Sequence, residues 1–230
     1  MSDQIQVKTT EQLISRLFSA VEPQKDAEIE AWEAERREKA KGENYRKQAP
    51  ERYWKESLVT FRTDLDERRM EQETVREYMA ALQRGAFRTL IMIGAAGTGK
   101  THLALALVRE LYGTYRLASA VVEEIRLAKS FSSRVTEAEI LDFYGRANLL
   151  VIDEIGRAIN AADEQYMIYQ VINERYNRRR PTVLISNQSK RDFLNYVGTA
   201  AADRLVESAQ VLEFTGPSYR AELRRNGGTE

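Results

Sequence analysis

Apolar residues recur along this chain in two rhythms, and the change between them divides it. Over Thr10 to Val21, the residues Leu13, Ile14, Leu17, Phe18 and Val21 fall on one side of a helix. Thr10 is placed to cap that helix and Pro23 to end it. A second helix is predicted from Lys25 to Lys41, with Ile29 and Trp32 among mixed charges and Gly42 as its stop. Two helices with so few apolar residues bury little surface. They read either as a solvated arm packed on the main domain or as a docking hairpin whose stripe a partner covers. Gln48-Ala49-Pro50 reads as the junction, giving an N-terminal helical segment over 1–50 and a main domain over 51–230.

From Tyr53 onward the pattern becomes α/β. A helix is predicted over Glu67 to Arg84 through Val75, Tyr78, Met79 and Leu82, ending near Gly85. Five short apolar runs follow at Thr89–Ile93, Ala118–Val122, Leu149–Asp153, Thr182–Ser186 and Gln210–Phe214. Helical segments separate them. Strands alternating with helices imply a five-stranded parallel sheet flanked by helices on both faces. Consecutive apolar positions in Leu149-Leu150-Val151-Ile152 suit a central strand covered on both sides.

Composition narrows the function classes. The 230 residues carry 35 basic and 35 acidic side chains, so no global basic field announces nucleic acid, and any such surface is local. The absence of cysteine excludes disulfides and thiolate metal sites, and a single histidine cannot build a metal site alone. No apolar N-terminal leader and no long apolar stretch occur, so a soluble, cytoplasmic protein is expected.

The chemistry starts at Gly94-Ala95-Ala96-Gly97-Thr98-Gly99-Lys100-Thr101, which fits the Walker A pattern without a gap, after a strand and before a helix over Thr101–Leu111. Glycines let successive backbone N–H groups turn inward as an anion cradle, and the helix N-terminus adds partial positive charge. Lys100 is then the ligand of the β- and γ-phosphates of ATP, and Thr101 a ligand of Mg2+. His102 follows in the first turn of the helix. It is counted with the nucleotide-lining positions, and no chemistry is assigned to it.

Leu149 to Glu154 reads as Walker B, a buried strand delivering two carboxylates to the edge where α/β sheets bind ligands. Asp153 is expected to hold Mg2+, and Glu154 to polarise the attacking water as general base, which favours hydrolysis over binding alone. The fourth strand ends in Ser186-Asn187, whose amide could orient that water or touch the γ-phosphate.

Taken together, GAAGTGKTHLA, LLVIDEIG, RRRPTVLISNQ, Asp203-Arg204-Leu205 and Gly216-Pro217-Ser218-Tyr219-Arg220 resemble the AAA+ helicase loaders of the DnaC type and their IstB-type relatives, over about residues 53–220. The resemblance implies an AAA+ core, makes Asn187 the sensor 1 residue, and makes Arg204 a candidate arginine finger acting on ATP held by a neighbouring subunit. It offers Arg220 as a further nucleotide-sensing arginine. The short stretch after Gly216 is expected to form no helical lid.

The same resemblance implies that residues between the second and third strands line a channel for single-stranded DNA. Lys129 and Phe131 match in character, a cation for phosphate and a ring for a base. Arg175 and Arg178 to Arg180 form a denser basic cluster, read either as a second DNA contact or as a solvated helix end. By position, the N-terminal helices would bind the hexameric replicative helicase, and self-association into an ATP-dependent ring or spiral is expected. The predicted function is an ATP-dependent helicase loader. Its alternatives are an IstB-type transposition ATPase, which shares nearly every motif, and a small-molecule P-loop kinase, which leaves Asn187 and Arg204 without roles.

Overall fold

The computed structural model describes residues 30–32, 34–36, 38–40, 42–130, 133–158 and 160–225. The chain divides into two compact units, Met1–Asn44 and Tyr45–Glu230. In the first, every described residue is helical, Gly42 included, so Gly42 does not stop the helix predicted there. A lone glycine costs a helix only about 1 kcal/mol, and the strong helix formers around it outweigh that. The expected helix from Thr10 to Val21 lies outside the described residues.

The second unit is a three-layer α/β fold. After a single 3-10 turn at Glu51–Tyr53, its elements are α1 (Asp66–Gln83), β1 (Thr89–Gly94), α2 (Lys100–Leu111), β2 (Thr114–Leu117), α3 (Ala118–Ala128), α4 (Glu137–Arg146), β3 (Leu150–Ile155), α5 (Ala161–Asn177), β4 (Thr182–Ser186), α6 (Lys190–Val197), α7 (Thr199–Ser208), β5 (Ala209–Phe214) and α8 (Tyr219–Arg225). The five strands are all parallel, in the order β2-β3-β4-β1-β5.

Strand periodicity builds both cores at once, because alternate side chains leave opposite faces of a sheet. Leu90 and Met92 of β1 pack with Val151, Val183, Ile185 and the buried face of α2, whereas Ile91 and Ile93 pack with Leu150, Ile152 and Leu184 against α3 and α5. No helix among the described residues is long and apolar enough to cross a membrane.

The second strand departs from expectation. It is Thr114–Leu117, and the run Ala118–Val122 opens α3 instead. Ala118, Val121, Val122 and Ile125 are buried along one helical face, so the apolar cluster serves the helix. The helical stretch expected between the second and third strands is two helices, α3 and α4. Thr136 starts the second with a capping box, accepting from the Glu139 N–H at 3.3 Å while Glu139 accepts from the Thr136 N–H at 2.7 Å.

β3 pairs with β4 in step as far as Ile152 opposite Leu184, and then Ile155 stands opposite Ser186. Two residues, Asp153 and Glu154, thus face one on β4, and Glu154 takes the left-handed conformation at φ 61°. A bulge of this kind re-aims the side chains at a strand end.

Candidate nucleotide-binding site

β1 ends at Gly94 against the first residues of the phosphate loop. Gly94 has φ 128°, and a Cβ there would lie 2.3 Å from the Phe214 carbonyl oxygen of β5. Glycine is therefore required for β1 and β5 to run side by side into the loop. Gly97, at φ 84°, packs equally close to Ser218, and its carbonyl accepts the Tyr219 N–H at 2.9 Å. The C-terminal Gly216–Arg220 segment thus closes onto the loop's outer turn.

The loop, the end of β3 and the residue after β4 converge on one cavity of about 320 Å³. Ala96, Gly97, Gly99, Lys100, Thr101 and His102 line one side of it. Asp153, Glu154, Asn187 and Arg220 line the other parts, joined by Tyr53, Glu56, Thr60, Arg62, Arg157 and Tyr219.

Lys100 is buried, and its Nζ donates to the carbonyls of Gly94 (2.7 Å) and Ala95 (2.6 Å). Burial pulls its pKa down to about 8, with Asp153 and Glu71 opposing the shift. Thr98 and Gly94 belong to the loop's inner turn, where the Thr98 hydroxyl donates to Ala95 O at 2.9 Å. Asp153 is buried and accepts three hydrogen bonds, from the Thr101 hydroxyl (2.7 Å), the Tyr115 hydroxyl (3.0 Å) and the Glu154 N–H (2.7 Å). Burial raises its pKa despite these donors. Glu154 is half-buried, and its carboxylate accepts from Arg157 Nη1 at 2.7 Å.

A strand-borne lysine loop facing two acids across a cavity of this size is a triphosphate site in outline, and sequence comparison decides its kind. The sequence pattern of IstB-like ATP binding proteins matches residues 18–227, nine-tenths of the chain. The chain belongs to the IstB-like ATP binding protein family. The chain is also similar to two curated proteins. The replicative helicase loader DnaC of Escherichia coli K12 is 27% identical over 172 residues, which cover 73% of this chain and 70% of that protein. An ATP-binding protein of insertion sequence IS21 from Pseudomonas aeruginosa is 28% identical over 179 residues, covering 74% and 64%. In fold, the crystal structure of the DnaC helicase loader superposes with a TM-score of 0.65 at 20% identity, covering 72% of this chain and all of that one. The core thus has the fold of that structure, with the five-stranded parallel sheet and flanking helices predicted.

The donor set of this IstB-like site fits magnesium. Among the described residues no three His, Cys, Asp or Glu side chains cluster as a protein-only metal site. Thr101 and Asp153 instead present one hydroxyl and one buried carboxylate in contact. Mg2+ is commonly held by few protein oxygens, with phosphates and water completing its shell.

Other sequence-predicted residues lie apart. Arg204 stays outside the cavity, with Nη1 donating to Ala200 O at 2.8 Å and its guanidinium over the rings of Tyr169 (5.3 Å) and Tyr176 (5.9 Å). Lys129 pairs with Glu137 at 3.1 Å and lies 4.8 Å from the Tyr166 ring centre. Phe131 lies outside the described residues. The basic cluster at the end of α5 is not one surface. Arg175 is 1% exposed and donates to Thr182 Oγ1 (2.9 Å) and to the carbonyls of Tyr144, Ala147 and Pro181. Arg178 is taken up by Glu174 (2.6 Å) and Asp142 (2.9 Å). His102 has a structural partner, since its Nε2 sits 3.0 Å from Ser57 O and its ring meets Phe61 edge-on.

Sequence reading missed Tyr115 and Arg157. Tyr115 is on β2, which was expected elsewhere, and Arg157 follows β3 with no motif to mark it.

Proposed function

We propose that this chain is an ATP-hydrolysing helicase loader, which binds a hexameric replicative helicase, delivers it to single-stranded DNA and is released by hydrolysis. The observation that carries the reading is the convergence of Lys100, Thr101, Asp153, Glu154 and Asn187 on one cavity, in a chain whose relatives include DnaC loaders.

The geometry supports the following roles. Lys100 Nζ leaves the loop carbonyls for the β- and γ-phosphates, which replace two neutral acceptors with charged ones. Thr101 and Asp153 hold Mg2+, which when bound neutralises charge on the phosphate oxygens. Asn187 orients the attacking water. Glu154 takes the proton from that water as its oxygen bonds to the γ-phosphorus and the bridging P–O bond to ADP breaks. Arg220 reaches the phosphates from the C-terminal segment. Arg204, facing away from its own cavity, supplies its guanidinium to ATP on an adjacent subunit, which ties hydrolysis to assembly into a ring or spiral.

Residues 1–50 form the helicase-binding segment, and Lys129 with Phe131 contacts single-stranded DNA. The test is capture of the replicative helicase with and without ATP, comparing the full chain with one starting at Tyr45, where the second unit begins. ATP-dependent capture by the full chain alone is expected, and equal capture by the shortened chain would overturn the assignment of 1–50. A second reading, a transposition ATPase, is favoured by the IS21 relative. Binding to duplex DNA and a transposase, with no capture of the helicase, would select it.

A further inference from the structure

Three acids are buried among the described residues. Asp153 has the donors already given. Glu164 accepts from the Gly156 N–H (2.6 Å) and the Tyr196 hydroxyl (2.8 Å). Glu71, on α1, is only 3% exposed, and neither carboxylate oxygen closes a hydrogen bond. An ionised carboxylate so placed lacks the compensation that buried charge needs.

Its surroundings give no ready remedy. Glu67 and Arg68 face it from its own helix, Lys100 from the start of α2, the Thr215 backbone from beyond β5, and the Tyr219 phenol from α8. Arg68 is committed elsewhere, to Asp64 (2.9 Å), Glu222 (2.7 Å) and Pro217 O (3.1 Å), with its guanidinium 3.8 Å from the Tyr219 ring centre. Lys100 is committed to the carbonyls of the loop. Burial pushes the Glu71 carboxyl up to about 7, with Glu67 adding to the rise and with Arg68, the Thr215 backbone N–H and Lys100 pulling the other way.

An arriving triphosphate changes both sides of this balance. It brings several negative charges to the loop and draws the Lys100 ammonium toward them. Each change disfavours a charged Glu71 and leaves a neutral one untouched.

We propose that Glu71 is a positioning residue of the nucleotide site, which accompanies ATP binding as an uncharged carboxylic acid so that its ionisation opposes ATP. The proposal rests on the ATP-binding reading of the loop and adds a proton to it. ATP titrates as well, but equally in a Glu71→Gln chain, whereas Lys100 loses in the variant a carboxylate that helps to keep it protonated. That loss weakens ATP binding by the variant as pH rises, so tighter binding by the variant at high pH is not produced by Lys100 and reads Glu71.

The experiment is calorimetric titration of ATP into the full chain and its Glu71→Gln variant from pH 6 to 8.5, in two buffers of different ionisation enthalpy. At pH 6 the affinities agree within about twofold. At pH 8.5 the variant binds several-fold more tightly, and near pH 7 the wild type takes up more protons on binding. A nucleotide-free readout runs beside it. With its folded value near 7 and its ordinary value at 4.5, Glu71 binds protons more tightly folded than unfolded. Its contribution to stability is therefore full below 4.5 and declines as pH rises to about 7, a slope that Glu71→Gln and Glu71→Leu both remove. An affinity ratio constant across pH would overturn the proposal and leave Glu71 a packing residue. Absence of ATP binding in both chains at every pH would overturn the loop reading itself, and the proposal with it.

Discussion

Glu154 leaves β3 in the left-handed conformation, within 2.7 Å of Arg157. If Glu154 is the general base, the oxygen that Arg157 occupies has to be freed before the proton is taken. Glu154→Gln should therefore keep ATP binding and lower turnover by roughly a hundredfold or more. Arg157→Ala should raise unstimulated turnover by up to about fivefold, the equivalent of an exposed ion pair worth up to about 1 kcal/mol. Steady-state phosphate release checks both, and turnover by Glu154→Gln equal to wild type would remove the base assignment. Lys100, Thr101, Asp153, Glu154 and Asn187 were legible in the sequence because each sits at a fixed offset from a strand end. Tyr115 and Arg157 were not: Tyr115 meets Asp153 from a neighbouring strand, and Arg157 follows β3 with no motif to mark it.

At the scale of elements, one slip explains most of what was misread. β2 is an edge strand of four residues in which only Tyr115 is buried, and it is followed at once by the apolar face of α3. Hydrophobicity alone moves such a strand four residues along, onto the helix. The central strands were read to within two residues, because burial on both faces makes their middle positions continuously apolar. Arg175 was misjudged for the opposite reason, a charged residue serving as an internal brace. Its guanidinium joins α5 to the end of α4 and the start of β4. Arg175→Met removes four hydrogen bonds to the Thr182 hydroxyl and the Tyr144, Ala147 and Pro181 carbonyls and should cost on the order of 3 kcal/mol. The denaturation midpoint measures this, and an unchanged midpoint would deny the bracing role, whereas ATP affinity of the folded protein should not move.

For the whole molecule the decisive question is whether a single chain can complete its own site. Arg204 rests between Tyr169 and Tyr176, outside the cavity that holds Lys100. If it serves a neighbour, Arg204→Ala and Lys100→Ala chains should each hydrolyse ATP poorly and recover activity when mixed, because one supplies an intact loop and the other the missing guanidinium. Mixtures no more active than the sum of their parts would return Arg204 to a purely local role.

The seat of Tyr219 and Ser218 on Gly97 has a practical corollary. The backbone at the far end of the sequence is fastened to the most sensitive turn of the loop, so any load attached downstream of α8 becomes a lever on nucleotide affinity. Purification handles and fluorophores belong elsewhere.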